Sequence, residues 1–430
     1  SGDLNIGARN ELLASMTKSV AEKVLKNNTR QTQAISIALH RGREQHPEYD
    51  RFMLWLESSG KLDRDIEFLP KKDELLERFS GGGNPWTRPE LAVLICYSKV
   101  MLKESLMDAD LLNDAWLADS VEKAFPRMLV EYLGGAVSSH QLANEIAATQ
   151  LANDLVDRFG FTFLFCAVET VGSSPREIVR ALTVVINVLG IDQLWHLIET
   201  DDGNFSAEMQ LDLFHILIKL VRRSTIWFLR HRSSGLDCAE SIGLFAEPMQ
   251  QLLENWVKLQ PNNWHLKLPC ETSKGEVAVN SISRMQRLSD NLFSALGIID
   301  LALRDNWPVN KIASIYTIVG ETLMLDDLMS KITGIESVGR WQDLARESSM
   351  NQLEQYHRDT TALLLQIWEG KPEEIAALWQ VAQEAAIASW GVMMSEIRKS
   401  KGNDYPLTTV ALNEFLNLVE GLRRISRERN

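Results

Sequence analysis

The sequence predicts an all-α protein, a multi-helix bundle or array. Three observations carry that expectation. Apolar residues recur three and four positions apart over long stretches, which is the period of one helix face. Helix-start punctuation repeats along the chain. No series of Val- and Ile-rich strands alternates with helices, so a parallel sheet has nothing to be built from. The 430 residues suffice for two or three domains or one extended helical body. With 45% apolar and 24% charged residues, the chain has the material for an ordinary core.

Residues 1–80 read as an N-terminal helical segment, closed by Gly81-Gly82-Gly83-Asn84-Pro85, a flexible joint. A helical lobe over 84–165 opens on Thr87-Arg88-Pro89-Glu90, a capping box. In it the Thr87 hydroxyl accepts from the backbone of Glu90 and the Glu90 carboxylate reaches back. A second lobe spans 166–430. There Ser174-Pro175-Arg176-Glu177 repeats the device with Pro at the first helical position. A stripe follows through Leu213, Ile216, Leu217, Leu220, Trp227 and Phe228, and another through Ile312, Ile315, Tyr316, Val319 and Leu323. Pro372-Glu373-Glu374 places Pro and two acids in a first turn, ahead of a stripe through Ile375, Leu378, Trp379, Ala382, Ala386, Val392 and Met393. Trp227, Trp341, Trp379 and Trp390 sit at helical spacings and are expected in the core rather than on a base-stacking platform.

Further breaks fall at Asp201-Asp202-Gly203-Asn204, Ser233-Ser234-Gly235 and Lys401-Gly402-Asn403-Asp404. Pro261 to Gly275 is the longest irregular piece. His265-Leu266-Lys267-Leu268 alternates, which allows at most a minor strand near 264–279. A plain surface connection is the better reading.

Residues 174–230 and 307–365 are candidate repeat units. Pro175, Val179, Leu182 and Ile186 align with Pro308, Ile312, Ile315 and Val319 at a constant offset, and Leu189 to Leu194 then matches Leu323 to Leu328. The pattern implies one helix, a turn capped by Asp192 or Asp326, then a short and a long helix, used twice. Chance likeness between amphipathic helices accounts for the match nearly as well.

The net charge of −13 repels phosphate backbones, so nucleic acid is not expected as a partner. The basic groups Arg222, Arg223, Arg230, Arg232 and Arg423, Arg424, Arg427, Arg429 are expected at helix C-termini, where cations meet the negative end of the dipole. The four cysteines are far apart. Cys96 and Cys166 lie in apolar runs, as buried thiols do, which suits a cytoplasmic, reducing setting. No apolar run reaches membrane-spanning length, and no membrane partner is expected. The chain opens on Ser1-Gly2-Asp3 rather than Met, and a fragment of a longer polypeptide is expected.

Catalytic chemistry leaves no signature. No G-x-G-x-x-G follows a strand, and no Walker A, H-E-x-x-H or G-x-S-x-G pattern occurs. The eight histidines are dispersed without metal-ligand spacing. His215, beside an apolar stripe, reads as a satisfied core residue. An anion site at the helix opened by Thr87, assisted by Arg88, is a minority reading, since the capping box already uses two of its donors.

The most pointed segment runs from His140 to Gly160. Ala148, Leu151, Ala152, Leu155, Val156 and Phe159 make one helical face. Glu145, Thr149, Gln150, Asn153, Asp154 and Asp157 make the other. Solvated faces favour Lys and Glu, so this amide-rich face reads equally as a contact with another domain or as a solvated face of poor helix formers. Thr87, Arg88, Glu90, Glu145, Thr149, Gln150, Asn153 and Asp154 are the candidate inter-domain contact residues.

Several stretches together resemble the C-terminal helical region of the large bacterial NAD-specific glutamate dehydrogenases. They are Arg9-Asn10-Glu11-Leu12-Leu13-Ala14-Ser15-Met16-Thr17, Asn27-Asn28 followed by Gln31 and Gln33, Gly60-Lys61-Leu62-Asp63-Arg64 with Glu67-Phe68-Leu69-Pro70, Thr87 to Leu94, Glu145 to Arg158, Trp227-Phe228-Leu229-Arg230, and Gly339 to Arg346. The likeness is clearest before residue 165 and diluted between 235 and 280. One departure is Leu142-Ala143-Asn144, where the family tends to be basic, which weakens an anion-binding role for that turn. In that family the whole enzyme converts L-glutamate to 2-oxoglutarate and ammonia with NAD, and its catalytic and dinucleotide-binding parts lie upstream. The resemblance implies that this chain holds no catalytic, cofactor-binding or metal residue and is inactive alone. It implies a role in bracing or regulating the catalytic domain of the same polypeptide, in a homo-oligomer. The alternative is a free-standing helical interaction scaffold.

Overall fold

The structure is a computed structural model, and it describes residues 5–107, 114–200, 205–232, 235–259, 274–335, 340–400, 402 and 404–429. Every regular element among the described residues is helical. Residues 264–273 of the suggested minor strand, and the break at 201–204, lie outside the described residues; residues 274–279 belong to a helix.

The chain divides into two compact units, Ser1–Gly243 with Leu268–Ser289, and Leu244–Lys267 with Asp290–Asn430. The first unit holds α1 (Ile6–His40), α2 (His46–Ser58), α3 (Lys72–Ser80), α4 (Arg88–Met107), α5 (Ala115–Ala124), α6 (Arg127–Leu133), α7 (Ala143–Phe159), α8 (Phe163–Val171), α9 (Pro175–Val188), α10 (Ile191–Glu199) and α11 (Ala207–His231). α12 (Cys238–Leu259) and α13 (Lys274–Asp305) contain the points of division. The second unit continues with α14 (Val309–Thr322), α15 (Leu325–Thr333), α16 (Arg340–Ile367), α17 (Pro372–Ala382), α18 (Glu384–Lys399) and α19 (Tyr405–Arg429).

The helix starts follow the sequence chemistry closely. At α9 the capping box is complete: the Ser174 hydroxyl accepts the N–H of Glu177, whose carboxylate accepts the N–H of Ser174. At α4 only the return half of the expected box forms: the Glu90 carboxylate takes the N–H of Thr87 at 2.8 Å, while the Thr87 hydroxyl does not take that of Glu90. At α17 Glu374 takes the N–H of Lys371. Gly81 to Pro85 is pinned: Arg43 donates to the carbonyls of Phe79 and Gly83, and Arg78 to that of Pro85.

In the first unit α7 is the middle of the packing, against α4 and α5 and also α1, α8 and α11. α11 packs on α8, α9 and α10. Leu213, Ile216, Leu217, Leu220, Trp227 and Phe228 are all buried, as their spacing predicts. In the second unit α16 is central, against α14, α15, α17 and α19. Ile312, Ile315, Tyr316, Val319 and Leu323 are buried there as well. Each such side chain removed from water is worth about 2 kcal/mol before entropy is counted.

Four sequence expectations are corrected. The stripe from Ile375 to Met393 is not one helix. It breaks at Gln383, and Leu378, Ala382, Ala386 and Val392 face solvent. The buried set is instead Ile375, Ala376, Trp379, Trp390, Met394 and Ile397. Trp341, in the first turn of α16, is exposed, unlike Trp227, Trp379 and Trp390. Cys96 is exposed because the apolar run around it turns its other positions inward. Arg222 lies in the interior of α11, away from its C-terminus.

The segments read as repeat units hold helices of matching order. α9, α10 and α11 have 14, 9 and 25 residues; α14, α15 and α16 have 14, 9 and 28. The turn residue is Gly190 in one (φ 62°) and Met324 in the other (φ 52°), so Asp192 and Asp326 do not cap it. Glycine adopts that left-handed geometry without the strain Met324 carries.

Candidate functional site

The residues expected to meet another domain lie in two groups on the first unit. Glu145, Thr149, Gln150, Asn153 and Asp154 are half-buried, and Asp157 is buried. The amide-rich face of α7 is therefore not an open surface. Asp154 accepts from Arg30 of α1 at 3.0 Å, Asn144 donates to the carbonyl of Met107, and Asp157 pairs with Lys99 of α4 at 2.6 Å. The Thr149 hydroxyl turns back onto the carbonyl of Glu145. Asn144, Asp154 and Asp157, poor helix formers, are tolerated because their side chains bond neighbouring helices instead of competing for their own backbone.

The second group behaves alike. Glu90 is buried and receives Arg78 at 2.9 Å besides the N–H of Thr87. A carboxylate of the chain itself thus fills the N-terminus of α4, the place the sequence offers for an anion site. Arg88 is exposed and donates to the Ser36 hydroxyl at 3.1 Å and the Thr32 carbonyl at 3.5 Å. Arg88 from one group and Asp154 from the other therefore hold the same stretch of α1, residues 30–36.

Beside that clasp lies a groove of about 610 Å3, the size range of small-ligand sites. α1 contributes Lys23, Lys26 and Arg30; α5 Asp119 and Lys123; α7 Gln150, Asp154 and Arg158; α10 Asp192, His196 and Glu199. Much of this charge is already spent. Arg158 pairs with Asp192 at 2.7 Å and lies over the rings of Phe159 and Trp195. Lys23 donates to the carbonyl of Lys123, and Trp195 to Glu199. Sequence reading singled out Gln150 and Asp154 as contact residues but missed Lys23, Lys26 and Arg30 of α1, Lys123 of α5 and His196 of α10, which three helices bring together without a shared motif.

Behind the α7 face is a buried polar cluster. Glu48 of α2 takes a two-pronged bond from Arg222 of α11 at 2.9 and 3.0 Å, and one from the Thr162 hydroxyl. Burial pushes the Glu48 carboxyl up. The Arg222 charge and the bonds it accepts outweigh that and hold it below the usual carboxylate range. Burial raises the Cys166 thiol far above its ordinary value, so it stays protonated. Tyr49 donates to the Ala38 carbonyl at 3.1 Å, which fixes the end of α1 on α2.

His215 borders the same cluster. Burial first, then the nearby cations Lys219, Arg41 and Arg222, lower its pKa to about 2, so it is neutral. The expected satisfied core histidine is core, but its Nε2 has no partner within the protein. The unfolded chain takes up a proton at this histidine below pH ~6.5 and the folded one does not. Stability from this group is thus full above that pH and falls by about 1.4 kcal/mol per pH unit below it. Urea midpoints of the parent and of His215→Asn from pH 7 to 4.5 check this; the variant is expected to lose one proton's worth of slope.

In the second unit Glu354 is buried and accepts from Ser294 and Tyr316 at 2.9 and 2.8 Å, while His357 stacks on Tyr316. His357 Nε2 also bonds the Tyr316 carbonyl at 2.7 Å, and the cluster reads as a structural network. Among the described residues no group of His, Cys, Asp or Glu is arranged to hold a metal ion, and no single helix is long and apolar enough to cross a membrane.

Comparison with known proteins gives one consistent result. Residues 83–417 match the family model described as glutamate dehydrogenase, C-terminal. Residues 1–38 match that of the bacterial NAD-glutamate dehydrogenase catalytic domain. The NAD-specific glutamate dehydrogenase of Pseudomonas aeruginosa is 36% identical over 429 residues, covering 97% of this chain and 26% of the relative. That of Halomonas elongata is 34% identical with the same two coverages. That of Mycobacterium tuberculosis is 27% identical, over 96% of this chain and 26% of the relative. The chain spans about a quarter of the length of the curated relatives it matches.

Proposed function

We infer the function from kinship: the chain belongs to the bacterial NAD-specific glutamate dehydrogenase family, whose C-terminal region it matches. We propose that it is the non-catalytic helical part of an enzyme whose whole polypeptide oxidatively deaminates L-glutamate to 2-oxoglutarate and ammonia, reducing NAD. The observation that carries this is alignment over 97% of the chain with relatives bearing that name, at the C-terminal family match. The substrate and NAD are handled by the catalytic domain, and no residue here is assigned to either.

The role proposed for this part is to brace or regulate the catalytic domain, in a cytoplasmic homo-oligomer. The clasp on α1 supports it, because Arg88 and Asp154 bond residues 30–36 of the segment that matches the catalytic-domain model. Matching helix order supports reading 174–230 and 307–365 as two copies of one unit. The test has two arms. The whole polypeptide is expected to reduce NAD with L-glutamate, and this chain alone is expected to give none. Removal of residues 39–430 is expected to lower turnover or the unfolding midpoint of the remainder. No glutamate-dependent reduction by the whole polypeptide overturns the assignment, turnover by this chain alone overturns its non-catalytic character, and an unaffected remainder overturns the bracing role.

A further inference from the structure

α1 runs 35 residues, about 52 Å, yet it is buried almost only at its end. Across residues 6–33 only Met16 is buried; Ala34, Ile37 and Ala38 then enter the core of the first unit. A helix this long is held by packing more than by propensity, and its first four-fifths have little packing here. The same stretch carries Ile6, Leu13, Val20 and Val24, which are 73, 54, 46 and 52% exposed. Their spacings of seven, seven and four put all four on one helical face. Scattered exposed aliphatics are ordinary; four aligned on one helix face, with Asn10 and Thr17 between them, mark a surface to be covered. Off that stripe, Lys23 donates to the Lys123 carbonyl and Ser15 to Met128, so another side of the helix is already engaged.

We propose that the Ile6–Leu13–Val20–Val24 stripe is covered by the catalytic domain of the same polypeptide, so that α1 is one helix shared by two bodies. This rests on the reading that such a domain is part of the chain's parent. The choice of occupant has a basis in sequence. The catalytic-domain model matches residues 1–38, which take in all but the last two residues of α1, while the C-terminal family match begins only at residue 83. About three quarters of each relative lies outside the aligned part. α1 thus belongs with the catalytic domain by sequence and with the helical unit by the packing of its last turns. Arg30, Thr32 and Ser36, bonded to Asp154 and Arg88, fix how the helix leaves the unit. The helix carries that orientation to the catalytic body.

The experiment is site-resolved maleimide labelling of the whole polypeptide carrying Leu13→Cys, Val20→Cys or, on the polar side of α1, Lys18→Cys, with each site read by peptide mass spectrometry. Positions 13 and 20 are expected to label at least tenfold more slowly than position 18. Similar rates at all three overturn the proposal. So does protection at 13 and 20 that disappears when the protein is diluted to monomer, which assigns the stripe to a second copy. Turnover is not part of the readout, so failure here is distinct from failure of the glutamate dehydrogenase assignment.

Discussion

Arg222→Met is expected to destabilise the first unit by about 3 kcal/mol, seen as a lower urea midpoint with little change in slope. Arg222 bonds both oxygens of Glu48 and reaches Thr162, so it ties α11 to α2 and to the start of α8. The side chains are only 25 and 17% exposed. Removing the guanidinium leaves a carboxylate inside with only the Thr162 hydroxyl and the Cys166 thiol as partners. The loss sits at the lower end of the range for broken buried pairs because some solvent still reaches both groups. Replacing both partners, as Glu48→Leu with Arg222→Met, is expected to cost less than Arg222→Met alone, since no uncompensated charge is left. A double-mutant cycle reads this directly, and additive losses would refute the coupling. The pH dependence has a definite sign. Glu48 is held below its unfolded value, so the pair stabilises fully above pH ~4.5 and that stability drains away as the pH falls through the lowered folded value. In Arg222→Met this acid sensitivity is expected to shrink.

Glu48 and Arg222 also show where sequence reading stops. They are 174 positions apart, and no local pattern joins them. Arg222 looked like a helix-end cation because it sits in a basic cluster near Ser233-Ser234-Gly235. Its position in the middle of α11 brings it under α2. The α7 segment shows a related limit. Its two faces are legible from period alone, but the partners of its polar face are not. Lys99 and Arg30, supplied by α4 and α1, neutralise Asp157 and Asp154 from outside the segment. What was legible is what depends on near neighbours: helix period, the Ser174 capping box, the stripe of α11. The groove was not, because Lys26, Lys123 and His196 come together only through the packing of α1, α5 and α10. The family likeness filled part of that gap, since a run such as Thr149-Gln150-Leu151-Ala152-Asn153-Asp154 is specific where single residues are not.

Trp379→Ala is expected to cost the second unit about 4 kcal/mol, the upper part of the range for a large buried side chain. Trp379 is the largest fully buried side chain among the described residues and packs in the cluster with Ile375, Trp390 and Phe415. Its loss does more than open a cavity. The indole Nε1 donates to Gln383 Oε1 at 2.8 Å, and Gln383 Nε2 donates to the Leu418 carbonyl at 2.9 Å. Gln383 is the residue at which α17 stops and α18 begins, and its own N–H caps α17 on the carbonyl of Trp379. A short polar ladder therefore runs from α17 through the break to α19. Trp379→Phe keeps most of the volume but leaves Gln383 Oε1 without its donor, a loss of about 1–2 kcal/mol. Gln383→Leu strands the Leu418 carbonyl and is expected to fall between these two. Thermal unfolding followed by circular dichroism ranks the three, at ~2–4 °C per kcal/mol for a unit of this size. Equal losses for Trp379→Ala and Trp379→Phe would mean that the hydrogen bond outweighs the packing. The expected order instead puts packing first, with Gln383, at the break in the stripe read from Ile375 onward, held inward between Trp379 and α19 by its two bonds.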